Sequence, residues 1–161
     1  MAAAQAGSFT GKVALVTGGS RGIGAGLVRR LALDGASVAF TYSSSREVAL
    51  KLADEIQSEG GRALPLKANS ASAEELRAAV LEATQMLGPL DIFVSNAGIL
   101  IRGTIDTYSL EDLDRMIAIN IRAAFVGVQA AAHLAPRAIT INNVQPGPTA
   151  TEMRVHLMPK S

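Results

Sequence analysis

The stretch TGGSRGIG carries glycines at the spacing Gly18-x-x-x-Gly22-x-Gly24, with Ser20, Arg21 and Ile23 between them. Glycine lets a chain turn sharply and bring bare main-chain N–H groups against a ligand. At the start of a helix those groups, with the helix dipole, hold a diphosphate. An ordinary strand-to-helix turn can use the same glycines, so the surrounding pattern decides between the two readings. The other chemistry-bearing residues are weaker candidates. His133 and His156 have no ligand residues near them at metal spacing, and the absence of cysteine removes disulfides and thiolate metal sites. Asp106, Glu111, Asp112 and Asp114 form an acidic run before an apolar helical pattern, which suits the macrodipole better than catalysis.

The frame for the glycines alternates between two periods. Residues 12–17 (KVALVT) are a short β-branched apolar run that predicts a strand, and 23–35 follow with apolar residues at helical spacing and a terminal glycine. Residues 37–42 (SVAFTY) repeat the strand signal. Residues 46–61 place Val48, Leu52 and Ile56 on one helix face and close on two glycines. A third strand at 62–68 is weakened by Pro65, and a helix at 72–88 opens with a capping-box pattern, Ser72 to Glu75. Residues 90–98 predict a fourth strand, 109–134 one long helix and 138–147 a fifth strand. Continuous apolar strands alternating with helices imply a doubly wound α/β domain, a parallel sheet covered on both faces. At 161 residues the length fits a single domain over 1–161. Strand before, helix after and repeated units favour a nucleotide site at TGGSRGIG. A net charge of +1 and a chain with no tryptophan, four phenylalanines and two tyrosines argue against nucleic acid. The opening residues carry no secretory signal, and no run approaches about 18 uninterrupted apolar residues. A cytoplasmic protein that does not enter a membrane is the expectation.

Four motifs in order resemble the short-chain dehydrogenase/reductase family. TGGSRGIG matches its TGxxxGxG cofactor loop, and SNAG (95–98) resembles its NNAG element. AIN (118–120) resembles the helix segment bearing its catalytic Asn, and NNVQPGPTATEM (142–153) its PG element beside the nicotinamide. The chain is similar to 3-oxoacyl-acyl-carrier-protein reductase-like members, and the resemblance implies a Rossmann-type sheet. It also implies hydride transfer between a nicotinamide cofactor and a carbonyl or alcohol carbon. By that resemblance Asn69 and Ser70, after the third strand, face the adenine, with Asn69 accepting its amine hydrogen; a plain turn is the other reading. Asn96, Ala97 and Gly98 lie against the adenine ribose, and Pro146 and Gly147 beside the nicotinamide. Asn120 is the one surviving member of the catalytic set, where the family helix is locally distorted; a helix Asn bonded to backbone is the alternative.

Cofactor choice follows from charge. An NAD site uses a carboxylate about 20 residues beyond the glycine loop, whereas a 2′-phosphate calls for cations and hydroxyls. No acid follows Asp34 before Arg46. Tyr42 ends the second strand, and Ser43, Ser44, Ser45 and Arg46 follow it, with Arg21 as a further cation. These residues predict NADP(H), and the serines could equally cap the next helix.

The resemblance breaks at catalysis. The family uses Tyr-x-x-x-Lys and a Ser, but four residues after Tyr42 and Tyr108 stand Arg46 and Asp112, and the lysines are Lys12, Lys51, Lys67 and Lys160. One strand-helix unit is absent between His133 and the segment from Ala135, and the family's last helix and strand do not follow RVHLMPKS. An internal deletion and joined pieces of a longer enzyme both fit. A deletion predicts a five-stranded sheet with residues 138–144 beside the fourth strand. It also predicts exposed apolar surface along AAFVGVQAAAHL, which in the family packs against another subunit, hence a homo-oligomer. The expected activity is NADP(H)-dependent reduction of a ketone or 3-oxoacyl carbonyl on a small molecule, the alternative a silent NADP-binding or subunit-interaction module.

Overall fold

The computed structural model describes residues 7–134. Four strands form one parallel sheet in the order β3-β2-β1-β4. β1 (Val13–Val16) is buried at every position and lies between β2 (Ser37–Tyr42) and β4 (Ile92–Val94). Its register pairs Val16 with Phe40 on one side and with Val94 on the other. A strand with both edges paired and both faces covered must be apolar throughout, which is why VALV does not alternate.

The fifth strand expected at 138–147 lies outside the described residues. The others match in order and type. β3 (Arg62–Lys67) tolerates Pro65 because it is the sheet's edge strand. The Ala68 amide donates to Tyr42 O at 2.9 Å, so even positions of β3 bond to β2 and the donor that Pro65 lacks falls on the open side.

The helices cover both faces. α1 (Gly22–Leu33) and α2 (Arg46–Ser58) pack Val28, Ala32, Leu52 and Ile56 against Ala14, Val16, Val38 and Phe40. On the other face α3 (Ala73–Leu87) and α5 (Ala123–Leu134) pack Val80, Ala83, Ala130 and Ala131 against Leu15, Ala39, Leu66 and Phe93. α1 and α2 end alike, with crossed amide bonds to the last turn: Ala36 N to Leu31 O and Gly61 N to Ile56 O. At α3, Ser72 Oγ accepts from the Glu75 amide at 3.2 Å as the capping box requires. The Glu75 carboxylate, however, accepts from the Asn69 amide at 2.9 Å and so ties down the loop before the helix.

The segment expected as one helix over 109–134 is two. α4 (Leu110–Ile117) runs into a π-helical turn, Ala118–Arg122, before α5 begins. The extra residue in that turn re-aims Asn120. By length and composition Leu110–His133 could cross a membrane, with a mean hydropathy of 1.2. Here its Ala123, Val126, Ala130 and Ala131 are buried in the core against α3 and the sheet.

Candidate functional site

The C-terminal ends of β1, β2 and β4 meet at the glycine loop, and two buried threonines set its shape. Thr17 is 2% exposed, and its Oγ1 accepts from the amides of Asn96 and Ala97, each at 3.0 Å. Thr41 Oγ1 accepts from the Gly18 amide at 3.0 Å while Thr41 O accepts from Gly19 N at 2.9 Å. Asn96 completes the knot, its Nδ2 donating to Thr17 O at 2.9 Å and Gly18 O at 3.1 Å. With both acceptors committed, the loop backbone has little freedom to collapse.

Within that frame Gly18 turns at φ +63°, and a Cβ there would stand 2.9 Å from Ala97 Cα. Gly22 opens α1 at φ +54°. Arg21 is the N-cap residue, but its side chain makes no cap, and the first turn of α1 holds no acid. The contrast with the other helices is informative: α2 has Glu47, α3 has Glu74 and Glu75, and α4 has Glu111 and Asp112 in that turn. A helix start with neither a capping side chain nor a carboxylate presents its amides and dipole to an external anion. Ser20 is buried in the loop while Arg21 and Ile23 are exposed beside it.

The end of β2 lies next to this helix start. Tyr42 is 8% exposed and packs in the core with Phe40 and Ala49, so its position is structural. Ser43 and Ser44 are exposed, and Ser45 occupies the N-cap position of α2 without bonding through its side chain. The serines thus stand at the N-cap and lead into the first turn of α2 as that reading places them, but no serine side chain caps the helix. Arg46 is exposed, and neither Arg21 nor Arg46 has an ion-pair partner among the described residues, where the bridges run Lys12–Asp91, Arg29–Glu55, Arg30–Asp34, Lys51–Glu55 and Arg115–Asp112.

The loop after β3 is stiffened by its own residues. Asn69 Oδ1 accepts from the Ala71 amide at 3.0 Å, an Asx turn, and Ser70 is partly exposed beside it. Arg122, from the π turn, donates to Ala71 O at 3.4 Å. Asn120 meets the loop after β4, its Oδ1 accepting from Ile99 N and its Nδ2 donating to Ile99 O, both at 2.9 Å. The side-chain amide is thus engaged through both ends with one backbone residue. Gly98 lies against it, a Cβ there standing 3.4 Å from Asn120 Oδ1. Tyr108 Oη donates to Ile101 O at 3.0 Å and lies against Met116, which fixes the loop before α4. Pro146 and Gly147 lie outside the described residues. Two carboxyls are held below their ordinary range, half-buried Glu55 by the Arg29 hydrogen bond and exposed Asp106 by the Thr104 hydroxyl.

The family model described as short chain dehydrogenase matches residues 12–134, more than half of the sequence. The chain belongs to the short-chain dehydrogenase family. A curated member of similar sequence is the cyclic-di-GMP-binding biofilm dispersal mediator protein of Escherichia coli strain K12, 35% identical over 91% of this chain and 76% of its own length. A hydroxynaphthalene reductase-like protein of Metarhizium guizhouense is 44% identical over 73% of this chain and 44% of its own. Among solved structures, a blue fluorescent protein from a metagenomic library in complex with NADPH is 49% identical with a TM-score of 0.77, covering 80% of this chain and 53% of that one. A short chain dehydrogenase from Burkholderia cenocepacia J2315 in complex with NADP is 46% identical with the same TM-score, over 79% and 52%. The chain therefore spans about half the length of those structures and of the fungal reductase-like protein.

Thr17 and Thr41 are the residues that motif reading passed over. Thr17 is the first letter of TGxxxGxG and Thr41 the one hydroxyl in the apolar run VAFT. A buried polar residue at the C-terminal end of a parallel strand is the signal that identifies both.

Proposed function

We propose that this chain binds NADP(H), with the diphosphate on the glycine loop and the start of α1. The 2′-phosphate lies among Arg21, Ser43, Ser44, Ser45 and Arg46, and the adenosine runs past Asn69, Ser70 and Asn96–Gly98. The observation that carries this reading is the uncapped, acid-free start of α1 beside a β2 end that has three serines and an arginine where NAD sites hold a carboxylate. The solved relatives holding NADPH and NADP support the same choice. A Cβ at Gly18 would clash with Ala97 and one at Gly24 with Gly18 O, so only glycine lets the loop pack this tightly against the β4 loop and the start of α1. When bound, the nicotinamide supplies a hydride to a carbonyl carbon or accepts one from an alcohol carbon. Ketones and 3-oxoacyl groups are the substrate class we assign. Pro146 and Gly147 are proposed to flank the nicotinamide, and Asn120 to hold the β4 loop under it.

A specific observation favours a second reading, a nucleotide-binding module without turnover. Both tyrosines are committed elsewhere, Tyr42 to the core and Tyr108 to Ile101, and neither is followed four residues on by lysine. The alignment with the biofilm dispersal protein runs over 190 positions while using 91% of a 161-residue chain, so it contains positions that the relative fills and this chain lacks. We take those missing positions to be the strand-helix unit expected after α5. Titration of the purified chain with NADPH and NADH at one salt concentration tests the cofactor assignment. Arg21→Ala with Arg46→Ala is expected to weaken NADPH at least about tenfold and NADH little. Equal affinities in the unaltered chain overturn the assignment, and NADPH oxidation with a ketone panel separates enzyme from silent module.

We also propose self-association through the outer face of α4, the π turn and α5. Leu110, Leu113, Ile117, Ile121 and Phe125 recur at helical spacing on that face, with Ile121 at 65% and Phe125 at 69% exposure. A stripe of that length is more than scattered surface apolarity, and a second copy offers the same stripe in return. Ile121→Glu with Phe125→Glu is expected to convert a dimer to a monomer in light scattering. A chain that is monomeric before the change refutes the proposal.

A further inference from the structure

We propose that Lys67 is a third cation of the 2′-phosphate subsite and sets the preference for NADP(H) over NAD(H). This rests on the cofactor reading above and adds a residue from a different strand. β2 and β3 pair in parallel to their ends, Thr41 with Leu66 and Tyr42 with Lys67. The Ala68 amide donates to Tyr42 O at 2.9 Å, so Lys67 is held beside Tyr42 where the chain leaves the sheet toward Ser43.

The face on which Lys67 stands follows from its neighbours. Ala63 packs with Val38, Phe40 and Tyr42 under α1 and α2, whereas Leu66 and Ala68 pack on the opposite face under α3. Odd positions of β3 therefore share the face of α1 and α2, the side on which Arg46 begins α2. Adjacent strands are about 4.8 Å apart, and the lysine stem is long and flexible, so its ammonium can reach over the Ser43–Arg46 turn. Lys67 is exposed and has no ion-pair partner among the described residues. Glu47, in the first turn of α2, is exposed as well and does not engage it.

A plainer role for a lysine on an edge strand is to discourage edge-to-edge pairing with another sheet. That role predicts no difference between two dinucleotides that differ only by a phosphate. A dianion beside three cations predicts a difference that shrinks with salt, since exposed charges are screened over about 10 Å at 0.1 M.

The test is fluorescence or calorimetric titration of the whole chain and its Lys67→Gln and Lys67→Arg variants with NADPH and NADH, with circular dichroism to establish that each is folded. Lys67→Gln is expected to weaken NADPH about fivefold, the scale of one exposed charge pair, and to leave NADH unchanged. Lys67→Arg is expected to restore the preference, and the effect to fade at 0.5 M salt. An unchanged ratio of NADPH to NADH affinity in Lys67→Gln, or equal weakening of both, overturns the assignment while the NADP(H) reading stands. An unaltered chain that binds both dinucleotides equally well, or neither, overturns the two together.

Discussion

Gly24→Ala is expected to lower the unfolding midpoint by about 10 °C and to abolish dinucleotide binding. The added methyl group would sit 2.3 Å from Gly18 O, 2.6 Å from Asn96 Nδ2 and 3.0 Å from Gly19 Cα. Two of these three atoms are backbone, so no rotamer change relieves the overlap. The helix start must instead move away from the loop it closes. Overpacking of that kind costs about 3 kcal/mol, at the upper end of its ordinary range, which corresponds to that shift in midpoint for a domain of this size. The displaced helix also carries its N-terminal amides out of reach of the diphosphate. Gly26→Ala is the matched control, because a methyl group there meets nothing within 4 Å in the same helix. It is expected to stabilise the helix by about 0.5–1 kcal/mol, since alanine has the higher propensity. Thermal unfolding of both variants, followed by NADPH titration, checks the pair; Gly24→Ala that melts with the unaltered protein refutes the packing account.

Thr17→Val comes next in size. Valine matches threonine in shape, so the packing of β1's end survives while the hydroxyl goes. The amides of Asn96 and Ala97 then lose their common acceptor inside the fold. A buried donor left without a partner costs about 1–3 kcal/mol, and these two half-buried ones are expected to cost about 2 kcal/mol together once the loop relaxes. Thr17→Ser keeps the acceptor and is expected to lose less than about 1 kcal/mol. Urea unfolding midpoints read the difference, and NADPH affinity is expected to fall with Thr17→Val because the β4 loop no longer braces Gly18. A valine variant as stable as the serine variant would show that the hydroxyl does not hold the two loops together.

The fold was largely legible because its signals are local. Apolar runs without alternation marked the buried parallel strands, and Ser72 followed by Glu75 marked the start of α3, whose cap forms as expected. Pro65 argued against a strand only as long as β3 was imagined inside the sheet. Its edge position depends on which strands pair, and no local pattern contains that. The break in the long helix has no local signal, since AIN fits an α-helix as well as a π turn; only the resemblance implied a distortion there, and in the structure Asn120 accepts from Ile99, 21 residues earlier, out of that turn. At the site the glycine spacing was visible and the bracing was not. Ser45 had the residue type and position of a cap, yet its side chain makes none. Asn69 is held in the turn that the plainer reading named, with one lone pair of Oδ1 committed to Ala71.

The bond from Asn96 to Thr17 spans 79 positions of chain, and the one from Ala97 spans 80. The glycine loop is made early, yet it receives its final shape only when a strand three βα units downstream has docked beside β1. Closing so large a loop is entropically slow. A polypeptide still emerging from the ribosome, with β4 inside the exit tunnel, has every glycine it needs and no rigid cradle. Coenzyme capture therefore waits for β4 to dock, and its onset during refolding is a reporter of that step.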